Sequence, residues 1–138
     1  MQLPFIAILA VSLLQFALSA VWYSPLLFGN MWMKIHGADK LTKDALKKLQ
    51  KKMGPFYGLQ FFLTLITNSF LAFLIINLPQ FSLCTIIGLV WFAFIVPTQI
   101  STIIWGGDAM KWWAEKIAIS AGFQLLGAVV AVSVFSVL

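Results

Sequence analysis

The sequence predicts an all-α integral membrane protein, with four transmembrane helices in a bundle and one short amphipathic helix outside the membrane. Three observations carry this. The chain of 138 residues is 62% hydrophobic and only 9% charged, against roughly 45–50% and about 25% in ordinary soluble domains, so most of its surface must face something other than water. The ionisable residues are confined to 34–52 and 108–116, leaving 1–33, 53–107 and 117–138 free of Asp, Glu, Lys, Arg and His. A bilayer core of about 30 Å takes roughly 20 helical residues, so those runs hold one, two and one spans. Strands are disfavoured because runs such as Phe70-Leu71-Ala72-Phe73-Leu74-Ile75-Ile76 do not alternate polar with apolar residues.

The spans are expected at about 4–28, 55–77, 82–105 and 113–137, as one domain. In the first, Pro25 lacks an N–H and frees the carbonyl of Val21, which predicts a kink that Ser24 bonds back to and that Gly29 ends. The first loop contains a helix start at Thr42, an N-cap with Asp44 in the first turn and a Leu41–Leu46 staple. Leu41, Ala45, Leu49 and Met53 then recur on one face among Lys43, Lys47, Lys48, Lys51 and Lys52, giving a basic amphipathic helix over about 42–53. Gly54-Pro55 is expected to stop it and open the second span. The second and third spans form a hairpin at Asn77-Leu78-Pro79-Gln80, where Pro79 interrupts the helix.

All nine basic residues are lysines in the first and third loops. The positive-inside bias therefore predicts those loops to be cytoplasmic and both termini outside, as in a multi-pass protein of a prokaryotic cytoplasmic membrane. A cleaved signal peptide is not expected, because no basic stretch precedes the apolar run. The lysine-rich helix suits the anionic inner leaflet, at about 1 kcal/mol per lysine near the surface. Trp22, Trp32, Trp105, Trp112, Trp113, Tyr23 and Tyr57 cluster at the same helix ends as an interfacial belt. Trp91 lies deep in the third span, where its indole N–H needs a partner.

Absent residues exclude much chemistry. The apolar runs lack the ionisable residue that proton-coupled transporters normally carry, the single His36 cannot supply paired haem ligands, and Cys84 stands alone without a redox partner. No nucleophile–base pair is evident, so neither an enzyme nor a resident cofactor or metal is expected. His36, Asp108 and Glu115 are the sole candidates for a metal or acid–base group, and their spacing matches no ligand motif. The chain has no arginine and no aromatic residues interleaved with the loop lysines, which speaks against nucleic acid.

Within the spans, polar residues recur at helical spacing: Ser12, Gln15 and Ser19; Gln60, Thr64, Thr67 and Asn68; Thr98, Gln99 and Thr102; Ser120 and Gln124. Amides are costly against acyl chains, so these faces are expected to point inward. They act either as glue between helices or as a polar cavity whose walls are Tyr23, Gln60, Thr64, Gln99, Thr102 and Gln124. Gly122, Gly127, Ala128 and Ala131 give the fourth span a small-residue face for close packing or a dimer seam. Lys52, Gly58, Gln60 and Ser69 recur 64 positions later as Lys116, Gly122, Gln124 and Ser133, which suggests two parallel hairpins.

The segment Trp22-Tyr23-Ser24-Pro25-Leu26-Leu27-Phe28-Gly29, followed by Trp32 and Gly37, resembles the signature of a family of small prokaryotic four-helix membrane proteins of unknown function. The resemblance implies a fold over nearly the whole chain and no reaction. The expected role is association, as a homo-oligomer or an accessory subunit of a membrane complex. The alternative is a small transporter or channel for a neutral or weakly polar solute. A membrane enzyme acting on a lipid or quinone finds no chemistry in the residues.

Overall fold

The computed structural model describes residues 4–137 and is all-helical over them. Four helical stretches are long and apolar enough to cross a membrane: Phe5–Trp22, Lys43–Asn77, Leu83–Trp105 and Met110–Phe135. We name the helices α1 (Phe5–Trp22), α2 (Gly29–Ile35), α3 (Lys43–Asn77), α4 (Leu83–Val90), α5 (Val96–Trp105) and α6 (Trp113–Phe135). A π-helical turn at Trp91–Ile95 joins α4 to α5, so the three form the continuous third span.

The first span is shorter than expected. α1 ends at Trp22, and Pro25 sits beyond it in a turn instead of kinking a longer helix. The residue before a proline is pushed out of the α region, and Ser24 exploits this: its hydroxyl donates to the Val21 carbonyl at 2.7 Å, while its own carbonyl accepts from the N–H groups of Leu27 and Gly29. Gly29 therefore opens α2; it does not close α1. A Cβ there would collide with the backbone carbonyls of Tyr23 and Ser24, so only glycine fits this reversal. α2 ends at His36 and Gly37, the latter left-handed at φ 70°.

Thr42 caps α3 by accepting from the Ala45 N–H at 3.3 Å. The basic stretch and the second span then prove to be one helix of 35 residues, with Pro55 inside it. Gly54-Pro55 is thus no boundary. Pro55 sacrifices one intrahelical bond near the end of the apolar run, where residues 51–60 are exposed and the freed carbonyl can be hydrated. At 1.5 Å per residue α3 is about 52 Å long, so it exceeds a bilayer core of about 30 Å and carries its lysines outward along its own axis.

The hairpin turn falls at the anticipated place. α3 stops at Asn77, and Ser82 caps α4 by accepting from the Thr85 N–H at 3.1 Å. In the third span, Pro97 would clash with the carbonyl four residues back, and the π turn lies just before it. α6 takes in Glu115 and Lys116 in its first turn. The fourth span, expected over 113–137, is therefore free of charge only beyond residue 116.

α1 packs on α3 and α6, and α6 also carries the third span. The core is built from Ile8 and Val11 of α1, Leu71 and Ala72 of α3, Ile86 and Ile87 of α4, and Ala131, Val132 and Phe135 of α6. The small-residue face of α6 is used inside the chain. A Cβ at Gly127 would touch the Gln15 side chain at 3.4 Å and one at Gly122 the Trp22 ring at 3.4 Å. Gly122 and Gly127 thus let α1 approach α6 closely.

Candidate functional site

Three of the four seams between spans are pinned by polar groups. At the first, Asn68 on α3 is 1% exposed and donates to Ser12 Oγ and Gln15 Oε1, both at 2.8 Å. Gln15 Nε2 returns a bond to Asn68 Oδ1 at 3.3 Å and donates to the Gly127 carbonyl at 2.7 Å, which ties α1 to α3 and α6 together. Near the lysine-bearing end, Trp22 Nε1 donates to the Ile119 carbonyl at 3.1 Å. The third span is fastened to α6 by Trp91, whose Nε1 donates to the Ala121 carbonyl at 2.8 Å.

The fourth seam, between α3 and the third span, is different. α3 meets that span chiefly along α4, next to the hairpin, and among the described residues no side-chain hydrogen bond joins the two. A cleft of about 400 Å³ opens there, within the range of small-ligand sites. Gln60, Thr64 and Thr67 of α3 and Gln124 of α6 supply its free polar wall, the Gln15–Asn68 pair forms its floor, and Phe70, Leu74, Ile87 and Val90 make its apolar end.

Of the residues expected to wall a cavity, Gln60, Thr64 and Gln124 meet in this cleft, whereas Tyr23, Gln99 and Thr102 lie outside it. Tyr23 instead packs against Trp32 at 5.1 Å and Phe123 at 5.8 Å, at the lysine-bearing end. Thr98 and Thr102 are exposed and donate to carbonyls four residues back, at 2.6 and 2.8 Å. A threonine that satisfies its hydroxyl in this way can face acyl chains, so Thr98 and Thr102 do not mark an inward face, while Gln99 between them is half-buried. Gln15, Thr67 and Asn68, left out of the expected cavity, border it. Their helical register with Ser12 and Gln60 was the available signal.

The amides of Gln60 and Gln124 find no side-chain or backbone partner among the described residues, unlike Gln15. Thr64 and Thr67 donate to the carbonyls of Gln60 and Leu63 and keep their oxygen lone pairs as acceptors. The cleft thus offers amide donors and several acceptors, with no ionisable side chain in its wall.

The two lysine-bearing loops meet above this region. Lys34 lies over the Trp112 ring and Lys116 over Trp32. Lys116 also pairs with Asp108 at 2.6 Å, and Trp113 Nε1 donates to the Asp108 carbonyl at 3.0 Å. His36 is exposed and bonded to the Trp32 carbonyl. Among the described residues no three of His, Cys, Asp and Glu come together as metal ligands, so His36, Asp108 and Glu115 do not converge.

The family described as "Protein of unknown function (DUF1761)" matches residues 6–136. The chain belongs to the DUF1761 family. No curated protein and no solved structure matches this DUF1761 chain. Membership spans nearly the whole bundle and brings no reaction with it.

Proposed function

We propose that this chain is a multi-pass membrane protein of a prokaryotic cytoplasmic membrane that acts by binding, holding an uncharged ligand in the cleft between α3 and the third span, as a neutral-solute transporter would. The single observation behind this is the pair of unpartnered amides at Gln60 and Gln124. Glue would be bonded, as Gln15 is to Asn68 and Gly127; free amides facing a cleft suit a ligand. The lysine-bearing end faces the cytoplasm, with Lys51 and Lys52 nearest the anionic headgroups, since Lys43 stands about 18 Å from Pro55 along the helix axis.

Stability measurements separate glue from site. In thermal unfolding of the purified protein in detergent, Gln15→Leu is expected to cost about 1–3 kcal/mol, because it strands the Asn68 amide and the Gly127 carbonyl. Gln60→Leu and Gln124→Leu are expected to leave the midpoint unchanged or raise it. A loss at either position matching that at Gln15 would show these residues to be glue and remove the reading.

Association is the second reading, and one observation favours it: the third span is the least buried of the four, with Leu89, Phe92 and Phe94 facing outward. Such a face suits a neighbouring copy or a subunit of a membrane complex. Light scattering corrected for detergent tests it, a monomer at all concentrations counting against it.

A further inference from the structure

The proposed cleft ligand has a chemistry and a route that the geometry narrows further. Resting on the reading above, we propose that the ligand is an uncharged amphiphile, a hydrocarbon tail carrying a hydroxyl or carbonyl head, and that it enters sideways from the bilayer between α3 and the third span.

The polarity of the cleft is graded along its length. Gln60 and Thr64 lie on the part of α3 nearer the lysines, and Gln124 borders the same region from α6, whereas Phe70, Leu74 and Ile87 gather toward the hairpin. A molecule with one polar end and one apolar end matches that order; a compact sugar or amino acid would leave its polar groups against Leu74 and Ile87. The head carries no charge, because no side chain in the wall can neutralise one and an unpaired charge at this depth is costly. Amide groups that both donate and accept fit a hydroxyl or a carbonyl.

The route follows from the seams. Gln15, Trp22 and Trp91 lock the three other contacts, so the side between α3 and the third span is where chain and lipid can exchange places. Phe70 stands at its rim, lining the cleft while 67% exposed. Across from it the π turn at Trp91–Ile95 sets Ile95 into the wall, and π turns recur at functional sites.

The experiment reconstitutes the full chain in phosphatidylethanolamine–phosphatidylglycerol vesicles with a long-chain alcohol bearing a photoactivatable diazirine in its tail. The alkyl sulfonate of the same length is the charged control, and cross-linked peptides are mapped by mass spectrometry. Expected is saturable labelling within 60–74 and 123–128, competed by unlabelled alcohol, at least five-fold weaker with the sulfonate and lost in the Gln60→Leu/Gln124→Leu double variant. Labelling that does not saturate and spreads over Leu89, Phe92 and Phe94 would overturn the amphiphile, as would equal labelling by the sulfonate. The two proposals fail separately. If the unfolding midpoints follow the expected pattern while the alcohol does not label the cleft, only the amphiphile is withdrawn; if Gln60→Leu or Gln124→Leu destabilises as Gln15→Leu does, the binding cleft itself is withdrawn.

Discussion

Gln15 and Gln60 are the same residue type at comparable places in apolar helices, and they have opposite fates. Gln15 spends its amide on Asn68 and Gly127 because Gly127 lets α6 approach closely enough to present its backbone. Gln60 lines the wider seam, where no partner among the described residues reaches its amide. Sequence spacing identifies both as polar positions on a helical face, but the width of the seam decides which becomes structure and which is left for a ligand. Width depends on pairings elsewhere, such as Trp91 with Ala121, that a one-dimensional reading does not contain. At Gly29 the WYSPLLFG segment suggested a kink that this glycine closes, whereas α1 ends at Trp22 and Gly29 opens α2 after a turn. Gly29→Ala is expected to cost about 1–3 kcal/mol by overpacking against the Tyr23 and Ser24 carbonyls. An unchanged unfolding midpoint in detergent would show that the turn relaxes freely.

At the scale of elements, the hairpin after Asn77 and the cap at Thr42 were legible because each depends on local chemistry. The union of the basic stretch with the second span was not. Gly54-Pro55 is the usual signature of a stop, yet helical backbone continues through it, since breaking α3 there would expose several carbonyls and N–H groups instead of one. Pro55→Ala tests this continuity. Inside a helix, alanine restores the bond to the Lys51 carbonyl, and stability is expected to rise by about 1–3 kcal/mol. At a helix start the same change would be neutral or unfavourable, so the sign of the shift in unfolding midpoint distinguishes the two.

For the whole molecule, the four spans were legible from the placement of charge alone, because a membrane imposes so strong a rule on ionisable residues. The equivalence of the two halves suggested by the internal match does not extend to packing. Gln15 followed by Trp22 in the first span resembles Gln99 followed by Trp105 in the third, yet Trp22 is partly buried and bonded to α6, while Trp105 is 85% exposed. The proposed orientation has a direct check in the exposed Cys84, beside the hairpin at the end away from the lysines. In cells with an intact cytoplasmic membrane, a membrane-impermeant maleimide is expected to label Cys84 without lysis. Labelling that requires lysis would invert the topology.

The open seam also bears on how the chain responds to the membrane pressing on it. The stretch of α3 that borders the cleft, from Gln60 to Leu74, rises about 21 Å, so emptying and closing a space of about 400 Å³ removes on the order of 20 Å² from the footprint in the bilayer plane. Lateral pressure therefore works against occupancy and tension works with it. A protein whose other three seams are bolted would concentrate that response in the tilt of one helix.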